Sequence, residues 1–173
     1  MLFEHYNIND DTVTSIFKDN WLMQTFVPTV THSITSVRVK LGKLGSPNGN
    51  IYVVIDSMID GKPSGSGLTV GYIQSDSVEE GIEGLWYEIP FTSVDLTAGV
   101  KYAIVLFDSG SVGDNNNCIY WRLENVGQYP QNSGYSPNAG NIWVDAGWSF
   151  MFEEYGIQIV DQYNSPFPSF QRV

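Results

Sequence analysis

Ser33-Ile34-Thr35-Ser36-Val37-Arg38-Val39-Lys40-Leu41-Gly42-Lys43-Leu44 decides the fold. Val37, Val39 and Leu41 alternate with Arg38 and Lys40, the period-two pattern of a strand with one face buried and the other in water. Gly45-Ser46-Pro47-Asn48-Gly49 reads as a turn. Asn50 to Ile59 (NIYVVIDSMI) then returns as the second arm of a long hairpin.

The same pattern continues outward in both directions. Toward the N-terminus, Trp21 to Pro28 is apolar and stops at a proline. Residues 1–20 are polar and mixed, with Asn9-Asp10-Asp11-Thr12 as a turn or cap before Val13 to Phe17, and they form either an arm or a first strand. Toward the C-terminus, the Gly61–Gly67 loop leads to a short strand at Leu68 to Ile73, and an acidic connection leads to another at Leu85 to Thr92. Val100 to Phe107 (VKYAIVLF) is the most apolar run and predicts a central strand. Asp108 to Asn117 is a polar loop, Cys118 to Leu123 a strand, and 126–141 a long irregular excursion. Ile142 to Val144 and Trp148 to Val160 complete the series.

Eight or nine strands with no persuasive helix predict an all-β fold: a two-sheet antiparallel β-sandwich, jelly-roll-like. The expected organisation is an N-terminal arm or strand (1–20), a sandwich domain (21–160) and a C-terminal tail (161–173). Pro166 and Pro168 bar that tail from a central strand.

At 173 residues the chain is long enough to bury a core without staples. Its 16% charged content is low against an average of about 25%, which argues against long solvated helices. A net charge of −11 opposes binding to a phosphate backbone or an anionic bilayer. Nucleic acid is therefore not an expected partner, and neither is membrane insertion, since no run approaches the ~20 apolar residues of a span. Met1-Leu2-Phe3-Glu4-His5-Tyr6 lacks the basic and apolar regions of a signal peptide. Cys118 is the only cysteine, so no disulfide can form within the chain, and its apolar setting predicts a buried thiol.

Several stretches together resemble a known family. They are Gln24-Thr25-Phe26, Ile34 to Leu41 with Gly45-Ser46-Pro47, Gly61-Lys62-Pro63-Ser64-Gly65, and Trp86-Tyr87-Glu88-Ile89. Leu96 to Leu106, Ile119-Tyr120-Trp121 and Trp148 to Phe152 continue the series. The run resembles the choice-of-anchor jelly-roll domains of prokaryotic surface proteins and of tailed-phage and archaeal-virus particles, over about residues 22–156. The resemblance implies a structural or binding role and brings no catalytic residues. Surface proteins of this kind carry a leader and an anchor, and the sequence given shows neither. The expectation is therefore a non-enzymatic virion protein: a capsid decoration, turret or tail-associated jelly roll that assembles as a homo-oligomer with other virion or surface proteins. The alternative is a carbohydrate-binding module used for attachment to a glycan or host surface.

Candidate chemistry is sparse. His5 and His32 are the only histidines, with His32 expected in a turn. Glu79-Glu80 and Glu153-Glu154 are adjacent carboxylates, and neighbours on a strand point to opposite faces, so neither pair is a ready acid and base. The expected partition is one solvated carboxylate and one paired. For a cation, the oxygen-rich Asp108–Asn117 loop offers Asp108, Asp114 and Asn116, hard ligands suited to calcium, without EF-hand spacing. For a glycan or protein ligand, Tyr129, Tyr135 and Trp143 lie in loop-like sequence beside Asn and Gly, whereas Trp121 and Trp148 read as core.

Overall fold

A computed structural model describes residues 1–110 and 113–159. In chain order the strands are β1 (Leu2–Tyr6), β2 (Thr12–Ile16), β3 (Trp21–Phe26), β4 (His32–Leu44), β5 (Asn50–Ile59), β6 (Lys62–Pro63) and β7 (Thr69–Gln74). They continue as β8 (Gly81–Leu96), β9 (Tyr102–Asp108), β10 (Cys118–Glu124), β11 (Ser133–Ser136), β12 (Val144–Asp145), β13 (Ser149–Phe150) and β14 (Phe152–Gln158). A 3-10 turn at Ser75–Ser77 is the only helical element among the described residues, and no helix there is long and apolar enough to cross a membrane.

Two antiparallel sheets form a β-sandwich. The first runs β2-β10-β4-β8 and the second β3-β9-β5-β7. The chain crosses between them after β2, β3, β4, β7, β8 and β9, so these eight strands make a jelly roll. The other strands are additions: β14 lies beside β4 with β1 outside it, and β11 and β12 extend the second sheet beyond β3.

Alternation fills the space between the sheets. Val37, Val39 and Leu41 of β4 are fully buried, and they face Ile51, Val53 and Ile55 of β5 and Ile104 and Leu106 of β9. Each such side chain contributes roughly 1.5–3 kcal/mol by leaving water. Trp121 is buried in this core and satisfies its indole N–H on the Met151 carbonyl at 2.9 Å. Cys118 is buried as predicted. Residues 2–6 and 12–16 are strands of the first sheet, while the expected tail at 161–173 lies outside the described residues.

Three local expectations need correction. His32 is not a turn residue: it opens β4, fully buried, with Phe3 stacked on its ring at 3.7 Å. The excursion at 126–141 is not wholly irregular, because β11 pairs with β3 there. Buried Gln24 and Thr25 supply what the pattern concealed, donating to the Gln131 and Asn132 carbonyls from inside. Gly134 permits the pairing, since a Cβ there would stand 2.7 Å from Met23 Cε and 2.8 Å from the Val144 carbonyl oxygen. Finally, Glu153 and Glu154 do face opposite ways, but both are buried and both are paired, with Arg38 and His32 respectively.

Candidate functional site

The outer faces of the two sheets differ in kind. On the first, Arg38 bonds Glu153 at 2.9 Å and sits over the Trp86 ring, while Asp10 accepts from Lys40 at 2.7 Å and Arg122 at 2.9 Å. Its charges are thus matched in place. On the second, the outward positions of β3, β9 and β5 include Trp21, Met23, Val105, Phe107 and Val54. The central strand β9 is therefore apolar on both faces, which requires a cover on the outer side as well.

Two loops supply part of that cover and leave a groove of about 550 Å³ between them. Val54, Val105, Phe107 and Trp21 line its strand side. One wall is the segment from Pro63 to Leu68, the other Ala139 to Trp143. Trp21 and Phe107 stack on each other at 4.4 Å, and Phe107 stacks on Tyr52 at 5.3 Å, so these rings spend their faces on one another. The Gly140 backbone lies against Trp21, where a Cβ would come within 2.9 Å of the ring. Trp143 is half-buried against Met23, Ala103 and Val105, and no aromatic neighbour stacks on it among the described residues.

The wall at 63–68 is held from below by Asp56, which is 3% exposed. Its Oδ1 accepts from the Ser64 hydroxyl and the Gly67 amide, and its Oδ2 accepts from the Gly65 amide at 2.8 Å. Every partner donates to a carboxylate oxygen. The opposite wall is built on Asn138, whose Oδ1 accepts from the Ile142 amide at 2.8 Å and whose carbonyl accepts from the Asn141 side chain at 2.7 Å.

The residues proposed from sequence do not share this site. Trp143 lines the groove. Tyr135 lies in β11 opposite Leu22 and packs toward the core, stacked on Trp148 at 6.2 Å. Tyr129 also faces the core, edge-on to Phe152 at 5.3 Å, and burial pushes its phenol well above the ordinary range, with Glu4 and Glu154 adding to the shift. Tyr129 lines a separate hollow of about 230 Å³ with Trp148 and Asn132.

The cation candidates are likewise apart in character. Asp108 is buried, with Oδ1 accepting from the Gly110 amide at 2.7 Å. Asp114 and Asn116 are exposed, and Asp114 Oδ1 closes its own turn by accepting from the Asn116 and Asn117 amides. Among the described residues no three His, Cys, Asp or Glu side chains gather as a metal site.

Trp21, Phe107, Asp56 and Asn141 were missed by sequence reasoning. The signal was present: a strand apolar on both faces, next to strands with outward Trp and Met, announces a covered outer face. What the pattern lacked was the identity of the covering loops. The fold is a two-sheet antiparallel β-sandwich with a groove on the outer face of its second sheet. The chain matches no family model and no curated protein.

Proposed function

We propose that this chain is a non-enzymatic attachment module, a virion accessory protein that binds a glycan through the groove on the outer face of its second sheet. The groove is the observation that carries the reading: about 550 Å³ between two polar loops, with an apolar strand side and the half-buried ring of Trp143. That volume falls in the ordinary range for small-ligand sites, roughly 300–1,000 Å³. An aromatic ring beside amide and hydroxyl groups suits a sugar, whose C–H face packs on the ring while its hydroxyls find polar partners. The virion setting rests on the resemblance to choice-of-anchor domains.

Titration of a glycan panel by calorimetry tests this reading. Trp143→Ala should weaken the tightest glycan at least tenfold, while Tyr135→Ala, on the core side, should leave its affinity within about twofold. Binding unaffected by Trp143→Ala, or no glycan binding at all, overturns it.

Assembly is the second reading, favoured by a different surface. Val70 and Tyr72 of β7 are 55% and 58% exposed, and with Pro90 and Phe91 of β8 they line a shallow depression of about 780 Å³. Exposed apolar surface at a seam between sheets is a usual place for a protein contact. Light scattering that finds a discrete oligomer, dispersed by Tyr72→Glu, supports assembly through it. A monomer at all concentrations removes it.

A further inference from the structure

We infer that the groove selects neutral sugars and rejects anionic ones, an inference that rests on the glycan-binding reading above. No lysine, arginine or histidine is among the residues that line it. The one charged side chain there is the carboxylate of Asp56, beneath the 63–68 wall. A sialic acid, uronate or sulfate entering this space would lose its hydration without gaining a cation. It would also meet a like charge in a setting of reduced dielectric. The chain as a whole adds to the repulsion, with 19 acidic residues against eight basic ones. Arg38, Lys40 and Arg122, three of those eight, are engaged with carboxylates on the first sheet.

The polar groups of the walls suit hydroxyls instead. Ser66 and Asn141 line the groove, beside the backbone of Gly65 and Gly67. These are neutral donors and acceptors, which match the alternating capacity of sugar hydroxyls. Glycine at 65 and 67 also keeps the wall thin, and a Cβ at Gly67 would stand 3.1 Å from Val54 Cγ1 on the strand side.

Asp56 thereby has two effects. As a positioning residue it fixes the wall through its three hydrogen bonds, and its charge contributes to the exclusion of anions. Asp56→Asn separates the two from mere structural support. Its amide nitrogen cannot accept from Gly65, so affinity for a neutral glycan should fall. The preference for neutral over anionic ligands should narrow at the same time.

The experiment compares matched glycan pairs, each a neutral oligosaccharide and its sialylated or sulfated counterpart, at 50 and 500 mM NaCl. Wild type should bind the neutral member at least tenfold more tightly at low salt. Its neutral affinity should change less than twofold with salt, and the anionic deficit should shrink as salt screens the repulsion. Asp56→Asn should reduce the neutral-to-anionic ratio at least threefold. Anionic members binding as well as neutral ones, with Trp143→Ala abolishing both, overturns the selectivity and leaves the groove as the site. Neutral binding that Trp143→Ala does not touch overturns both readings.

Discussion

His32 Nε2 lies 2.8 Å from Glu154 Oε1, and both side chains are fully buried. The other ring nitrogen of His32 is 2.8 Å from the Val30 carbonyl oxygen, which can only accept, so Nδ1 carries a proton and donates it. Nε2 and the Glu154 carboxyl are joined by a buried hydrogen bond. Burial pushes the Glu154 carboxyl up, and the His32 hydrogen bond pulls it back. The pair also secures β1, since Phe3 stacks on the imidazole and the Glu4 amide donates to Glu154 Oε2.

Breaking the pair should be costly in an asymmetric way. His32→Ala leaves Glu154 buried without its partner and opens a void under Phe3, for an expected loss of about 3–5 kcal/mol. Glu154→Gln keeps a donor for Nε2 and should lose only about 1 kcal/mol. Urea denaturation of both variants measures the difference. Equal losses would mean that the charge of this hydrogen-bonded pair, and not packing under Phe3, holds this end of the sandwich, since Glu154→Gln leaves the packing in place.

Asp10 contributes to the acid limb of stability. Burial works to raise its pKa, but hydrogen bonds and charge from Lys40 and Arg122 outweigh it and hold the carboxyl below the ordinary range. A carboxyl lowered in the folded state stabilises the fold above its unfolded pKa, near ~3.9, and loses that contribution as pH falls through the folded value. Asp10→Asn should therefore cost about 1–2 kcal/mol at pH 7. The gap to wild type should close between pH 4 and pH 2. A gap that persists at pH 2 would assign the cost to packing instead of charge.

The sandwich was legible because alternation in β4 states which face is buried, the apolar run of β9 marks a central strand, and the turns at Gly45–Gly49 and Gly61–Gly67 delimit β5. The strand at 133–136 was hidden, since the segment that leads into it is held by the polar side chains of Gln24 and Thr25, bonded to the Asn132 carbonyl, and a hydropathy pattern assigns such side chains to water. Of the three aromatic candidates, Trp143 lines the groove and the two tyrosines turn inward. All three lie in sequence of the same composition. What separates them is the position of β11 beside β3, a contact between residues more than a hundred positions apart. The role of Asp56 was invisible for the same reason as that of Gln24: the groups it binds belong to another segment of the chain.

Asp108 should titrate in the opposite sense to Asp10. Its Oδ2 is buried with no hydrogen-bond partner among the described residues. Burial pushes its carboxyl up, against the pull of the Gly110 amide. A carboxyl raised in the folded state favours the fold below the unfolded pKa, and that contribution is lost as pH rises through the folded value. At pH 7 the ionised group is therefore a burden. Asp108→Asn should raise stability by about 1 kcal/mol there, with the gain vanishing below pH 4. Melting curves at pH 7 and pH 3.5, each with and without calcium, decide the matter. A calcium-dependent rise in Tm that Asp108→Asn abolishes would make the same oxygen a cation ligand, and in calcium the variant would then be the less stable protein.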